Sequence, residues 1–306
     1  MQSDAGKAPA AAAEFTAPIA DPFAPAPALG RGVEWVIASA LTLAWAALFR
    51  GPFVHTVAID GDEALFLMIG RAWAGGHAPY TVIWDLKPPG LYLIYAAVWR
   101  LFGDNLIGPK IASLLAVAAT GLALYAFAAR ALRSRTTGVV ALILYAPTTL
   151  VLGGLASNPN LMMSSFIAWA AVAAFASSQG PHRRRAVARA LVAGLLVGCA
   201  GMVKQTAAFE AAYLLVVLAW GERGRGVRVA AFVAACAVVP AAFALWFARQ
   251  GLFAPLMQAA VFSASQRLGG DGVRFSAGPL RLLAMLKPVI PLVLGTALLW
   301  GGTAAA

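Results

Sequence analysis

Apolar and polar positions follow one another along this chain in long blocks, unlike the short alternation of a soluble helix or strand. Apolar runs cover about 33–49, 107–129, 137–156, 161–178, 187–203, 207–220, 229–248 and 283–301. A helix needs about 20 such residues to cross a hydrocarbon core about 30 Å thick, so the blocks predict eight spans, of which 207–220 is the shortest. One further stretch, Pro89–Gly103, would measure only about 22 Å as a helix at about 1.5 Å per residue, and it carries Arg100 near its end. It is too short to span and predicts a helix lying in, or dipping into, the membrane interface. Ala64–Trp73, interrupted by Arg71, predicts a second short interfacial helix. Residues 1–30 hold eleven Ala and five Pro without periodicity and are expected to form a disordered tail. The tail lacks the basic start and apolar centre of a signal peptide.

Composition turns this pattern into a class. Of 306 residues 61% are hydrophobic and 11% charged, where a soluble domain is about one quarter charged. A soluble fold could not hide that much apolar surface, so the expectation is an all-α, polytopic integral membrane protein. Cys199 and Cys236 both sit in apolar runs and read as packing residues, with no disulfide or metal spacing. The net charge of +11 does not indicate nucleic acid, because the basic residues sit in short blocks between apolar runs: Arg130, Arg133 and Arg135; Arg183–Arg185 and Arg189; Arg223, Arg225 and Arg228.

Basic loops are retained on the cytoplasmic side, and this fixes an expected topology. Arg31 precedes the first run, which places the tail inside. The loops near 130–135, 182–189 and 223–228 are then also inside, so residues 51–106 begin and end outside. That outer loop holds five of the twelve acidic residues, Asp60, Asp62, Glu63, Asp85 and Asp104, whereas 105–209 contain none. Ionisable groups at a membrane boundary commonly mark chemistry or transport; a solvated loop would also tolerate them. Downstream come Pro79-Tyr80 and Asp85-Leu86-Lys87-Pro88-Pro89-Gly90. Two prolines after Lys87 keep its backbone extended, and a cation held at the membrane surface suits an anionic lipid head group.

The ordered set of Asp-Glu after the first span, Pro-Tyr, Asp-x-Lys-Pro-Pro-Gly, a Leu/Tyr-rich short helix and Phe-Gly resembles a known superfamily. It comprises the dolichyl-phosphate-mannose protein mannosyltransferases and aminoarabinose transferases, which are polyprenyl-phosphate-sugar-dependent glycosyltransferases of the GT-C fold. Gly154-Leu155-Ala156-Ser157-Asn158-Pro159-Asn160 and Gly201-Met202-Val203-Lys204-Gln205-Thr206 match in position too, and the resemblance covers about 33–220. It implies a GT-C helical bundle over 31–306 whose long first outer loop, 51–106, carries interfacial helices; whether the chain continues beyond 306 is left open. It also implies Asp62 as catalytic base with Glu63 beside it and Lys87 as phosphate ligand. The departures are Asn158-Pro159-Asn160, where many relatives carry an acid, and Leu86, where some carry Glu.

The chemistry needs a base at the acceptor and cations on the leaving phosphate, with carboxylates near an oxocarbenium-like centre. Asp62 is the expected base and Asp60 the alternative; Lys87 and Lys204 are the phosphate candidates, with Asp85, Tyr80 and Asn160 lining the site. No cofactor is required by the pattern, and a divalent metal is left open. The expected activity is sugar transfer from a polyprenyl-phosphate donor to an unspecified acceptor on the extracytoplasmic face, in a multi-pass protein of the bacterial inner membrane. Competing readings are a lipid or solute transporter or flippase, against which stands the absence of an internal repeat, and a non-catalytic protein of the same fold. Lys204 could instead cap a helix, Glu210 pair with it, and Arg71, His55 and His77 serve as solvated polar residues.

Overall fold

The structure, a computed structural model, describes residues 31–179, 182–219 and 224–263. The expected tail at 1–30 and the expected last span at 283–301 lie outside the described residues. The chain divides after Ile37 into two units, and the site belongs to the second. Every regular element among the described residues is helical: α1 Arg31–Arg50, α2 Gly61–Ala74, α3 Pro89–Phe102, α4 Ile107–Ala131, α5 Arg135–Val151, α6 Pro159–Ser178, α7 Arg183–Val203, α8 Ala207–Ala219, α9 Arg225–Arg249 and α10 Phe253–Met257. A π-helical turn, Gln258–Phe262, follows α10.

Among the described residues, five helices are long and apolar enough to cross a membrane: Gly32–Phe53, α4, α6, α7 and α9. The runs at 137–156 and 207–220 were also expected to span, but they form the shorter α5, of 17 residues, and α8, of 13. At about 1.5 Å per residue these measure about 25 and 20 Å. The causes are local. Residues after Val151 leave the helix in a turn where Gly153 takes φ +79°, and α8 begins only after the bend at Lys204–Thr206. Pro147 and Pro240 lie inside α5 and α9, which continue through them.

The two short helices of the 51–106 segment form where the pattern placed them and pack on each other. Gly70 of α2 meets α3 so closely that a Cβ there would stand 2.6 Å from Tyr95 Cβ. Gly90, at the start of α3, likewise abuts the end of α7, where a Cβ would stand 2.6 Å from the Met202 carbonyl oxygen. Phe66, Leu91, Tyr92 and Tyr95 are fully buried at this junction, with Met162, Val203 and Phe247 completing the core. Phe66 meets Tyr95 edge-on at 5.7 Å, a favoured aromatic geometry. Gly194 and Gly198 let α9 approach α7: Cβ atoms there would lie 2.3 Å from Phe232 O and 2.9 Å from Cys236 O. That is the close helix packing expected of a small-residue face; Gly201, one turn on, faces open space. Cys199 and Cys236 are free and half-buried. Since α4 and α6 begin, and α7 ends, beside α2 and α3, Lys110, Asn160 and Lys204 share one end of the helices, and Arg130 and Arg189 lie toward the other.

Candidate functional site

Asp60, Gly61, Asp62 and Glu63 open α2. Asp60 is its N-cap, and Oδ1 accepts from the Glu63 N–H at 2.8 Å. The Asp-x-x-Glu spacing is that of a capping box, with the Glu63 carboxylate reaching back to the Ile59 N–H at 3.0 Å. Glu63 goes further, since it is fully buried and ion-paired with Lys110 Nζ at 2.9 Å. Its other oxygen accepts from Ser157 N at 3.0 Å. Burial pushes the Glu63 pKa up, but the bonds from Ile59, Lys110 and Ser157 outweigh it and hold the carboxyl below its ordinary value. Arg50, 4% exposed, completes the cluster by donating to Gly154 O at 2.6 Å, Leu155 O at 3.1 Å and Ser113 Oγ at 3.2 Å. Ser113 and Ser157 touch at 3.2 Å, and Tyr95 OH donates to Ser157 O. The cluster therefore pins the turn before α6 to the starts of α2 and α4.

Asp62 differs from both neighbours. It occupies the first turn of α2 with its side chain exposed, where the helix dipole favours a carboxylate. One turn on, on the same face, lies Phe66, and Lys87 Nζ sits 6.0 Å from the centre of that ring. The Lys87 backbone is held from several sides: Tyr80 OH donates to Lys87 O at 2.6 Å, and the Lys87 N–H donates to Tyr92 OH at 3.3 Å. Tyr92 OH in turn donates to Asp85 Oδ2 at 2.8 Å, and Gln205 Nε2 donates to Leu86 O at 2.8 Å. Burial, and then the charge of Asp85, raise the pKa of both Tyr80 and Tyr92, so they act as neutral hydrogen-bonding groups. Tyr80 reaches its position with φ +71°, a conformation a bulky residue adopts only when its surroundings impose it.

The second lysine arrives from α7. Lys204 is the C-cap of that helix, its N–H bonded to Ala200 O at 2.9 Å, and its ammonium donates to Asn160 Oδ1 in the first turn of α6. Burial first, and then the neighbouring Lys87 charge, lower the Lys204 pKa, with Glu210 opposing. Lys204 thus ends α7 through its backbone while its ammonium turns to Asn160 and feels the charge of Lys87. Glu210 makes no ion pair among the described residues, whose two salt bridges are Glu63–Lys110 and the exposed Arg71–Asp104 at 2.6 Å. His55 and His77 are exposed. No group of three His, Cys, Asp or Glu that could hold a metal occurs among the described residues.

The fold thus brings Asp62, Lys87, Lys204, Asn160, Asp85 and Tyr80 to one end. It places the exposed Asp60 as the N-cap of α2 and Glu63 in a buried ion pair with Lys110. Arg50, Lys110, Ser113 and Ser157 were not singled out from the sequence. A lysine inside the apolar 107–129 run was the available signal, since a cation there needs a partner.

The family described as dolichyl-phosphate-mannose-protein mannosyltransferase matches residues 86–248, from one residue before Lys87 to the last turns of α9. No curated protein and no solved structure matches the chain. With just over half of its length in that match, the chain belongs to this family of multi-pass membrane glycosyltransferases of the GT-C type.

Proposed function

We propose that this protein transfers a sugar from a polyprenyl-phosphate donor to an acceptor on the extracytoplasmic side of the membrane, with a cytoplasmic N-terminus. The observation that carries this reading is the convergence of Lys87 and Lys204, more than a hundred residues apart in the chain, at the end of the helices where α2 presents the exposed Asp62. In the reaction the bond between the sugar C1 and the phosphate oxygen breaks as an acceptor oxygen bonds to C1. The acceptor proton passes to Asp62, and the departing polyprenyl phosphate keeps the electron pair. Lys87 and Lys204 stabilise that charge, and a preorganised cation is worth most where water is partly excluded. Asn160 orients Lys204. Asp85 acts through Tyr92 on the loop that carries Lys87.

Purified protein given a polyprenyl-phosphate-linked sugar in detergent tests the activity: transfer is expected, with loss in Asp62→Asn. Donor crossing sealed vesicles without any sugar transfer would instead favour the flippase reading. The face is tested separately by cysteines at Asn105 and Ser134, which are expected to react with an impermeant reagent from opposite sides of a sealed membrane. Labelling of both from one side overturns the topology.

A further inference from the structure

At the end of the helices remote from Asp62, an open groove of about 370 Å³ runs between α4, α6 and α7. Arg130, at the last turn of α4, and Arg189, in the second turn of α7, stand over it; Trp169, Val172, Val192 and Leu196 line its walls. Trp169 lies nine residues before the end of α6, about 13 Å deeper along the helix. The groove is therefore charged at the mouth and apolar below. Both guanidiniums are anchored: Arg189 Nη1 donates to Ala176 O at 2.7 Å, and Arg130 Nη1 to Ala126 O at 3.5 Å. The three helices that build the groove lie within 105–209, a stretch without one carboxylate. Five further arginines lie near the same end, at 183–185 in the first turn of α7 and at 133 and 135 between α4 and the start of α5, and the three helices bring no acidic residue of their own.

We propose that this groove binds one anionic phospholipid of the leaflet opposite the transferase site. Its phosphate sits between Arg130 and Arg189, and an acyl chain lies along Val172, Val192 and Leu196 toward Trp169. A soluble anion would use the arginines but gain nothing from the apolar walls, which continue a surface facing hydrocarbon. The site uses none of the residues placed in sugar transfer, so it stands whether or not the proposed donor is correct.

Native mass spectrometry of the full chain, released from micelles containing phosphatidylglycerol and phosphatidylcholine in equal amounts, tests it. One retained phosphatidylglycerol is expected per protein, and millimolar inorganic phosphate is expected to leave it in place. Each basic residue near an anionic lipid contributes about fivefold to binding, so Arg130→Gln with Arg189→Gln should lower retention about 30-fold. Val192→Trp, at a half-exposed position, fills the apolar part while keeping both guanidiniums and should also expel the lipid. Equal retention of the two lipids by the wild type overturns the proposal, as does unchanged retention in both variants. Displacement by phosphate alone would mark an anion site instead of a lipid site and overturn it too.

Discussion

Two charged clusters meet at the same end of the helices, separated by the single peptide between Asp62 and Glu63. In the cluster of Arg50, Glu63 and Lys110 every member is buried and bonded: Glu63 takes bonds from Ile59, Ser157 and Lys110, and Arg50 spreads over two carbonyls and a hydroxyl. In the cluster of Asp62, Lys87 and Lys204 the backbone is held while the charges stay accessible. A buried carboxylate with all its acceptor capacity used can hold parts together but has nothing left for a substrate. An exposed carboxylate one residue away, fixed by that same network, has a rigid mount and spare lone pairs. Adjacent acids can thus divide the labour, and burial decides which does which.

Substitutions should separate the two clusters, beginning with the largest effect. Asp62→Asn keeps size and polarity but cannot accept a proton, so sugar transfer should fall about 10²–10⁴-fold. Its thermal-denaturation midpoint in detergent should stay at the wild-type value. Full activity in Asp62→Asn would remove the distinction altogether.

Lys110→Met should act in the opposite sense, because it strands a buried Glu63 carboxylate. Removing one member of a buried pair costs about 3–5 kcal/mol, read as a lowered midpoint, and adding Glu63→Gln should recover part of the loss. The same carboxyl predicts a pH response. Its folded pKa lies below the ordinary 4.5, so its stabilisation is complete above that value and is lost as pH falls through the folded pKa. The midpoint should hold from pH 7 to 5 and drop below, and Glu63→Gln should start lower and show a smaller acid step.

Lys87→Ala should raise the donor KM by about 10–100-fold, the worth of a charge-assisted bond of about 1.5–3 kcal/mol. Lys87→Arg should raise it less, since charge persists with altered reach. An unchanged donor dependence in Lys87→Ala would place the phosphate elsewhere. The smallest effect belongs to Asp60→Asn: asparagine caps a helix about as well as aspartate, so activity and midpoint should both remain near wild type.

The sequence made the local features legible. Proline after Lys87 and the apolar blocks announced α3 and the long helices, because those signals act within a few residues. The order of Asp-Glu, Pro-Tyr and Lys-Pro-Pro-Gly carried the family. It did not separate Glu63 from Asp62, since both are acids at one helix start and only the fold brings Lys110 and Ser157 to one of them. Those contacts span 47 and 94 residues of chain, beyond any periodicity. The end of α5 was not legible because hydropathy ignores turns: the residues after Val151 are apolar enough to continue the helix, yet they bend to deliver Ser157.

The hold on Lys87 also bears on how quickly a donor can come and go. Tyr80, Tyr92 and Gln205 occupy the main-chain groups of Leu86 and Lys87, and Gly90 is wedged against Met202. On the proposed reading, the main chain that carries Lys87 is already held before any phosphate arrives. Rigid sites of this kind bind with little entropy left to lose. Donor exchange would then follow the two-dimensional traffic of lipids past an open dock, with no gating step to set its tempo.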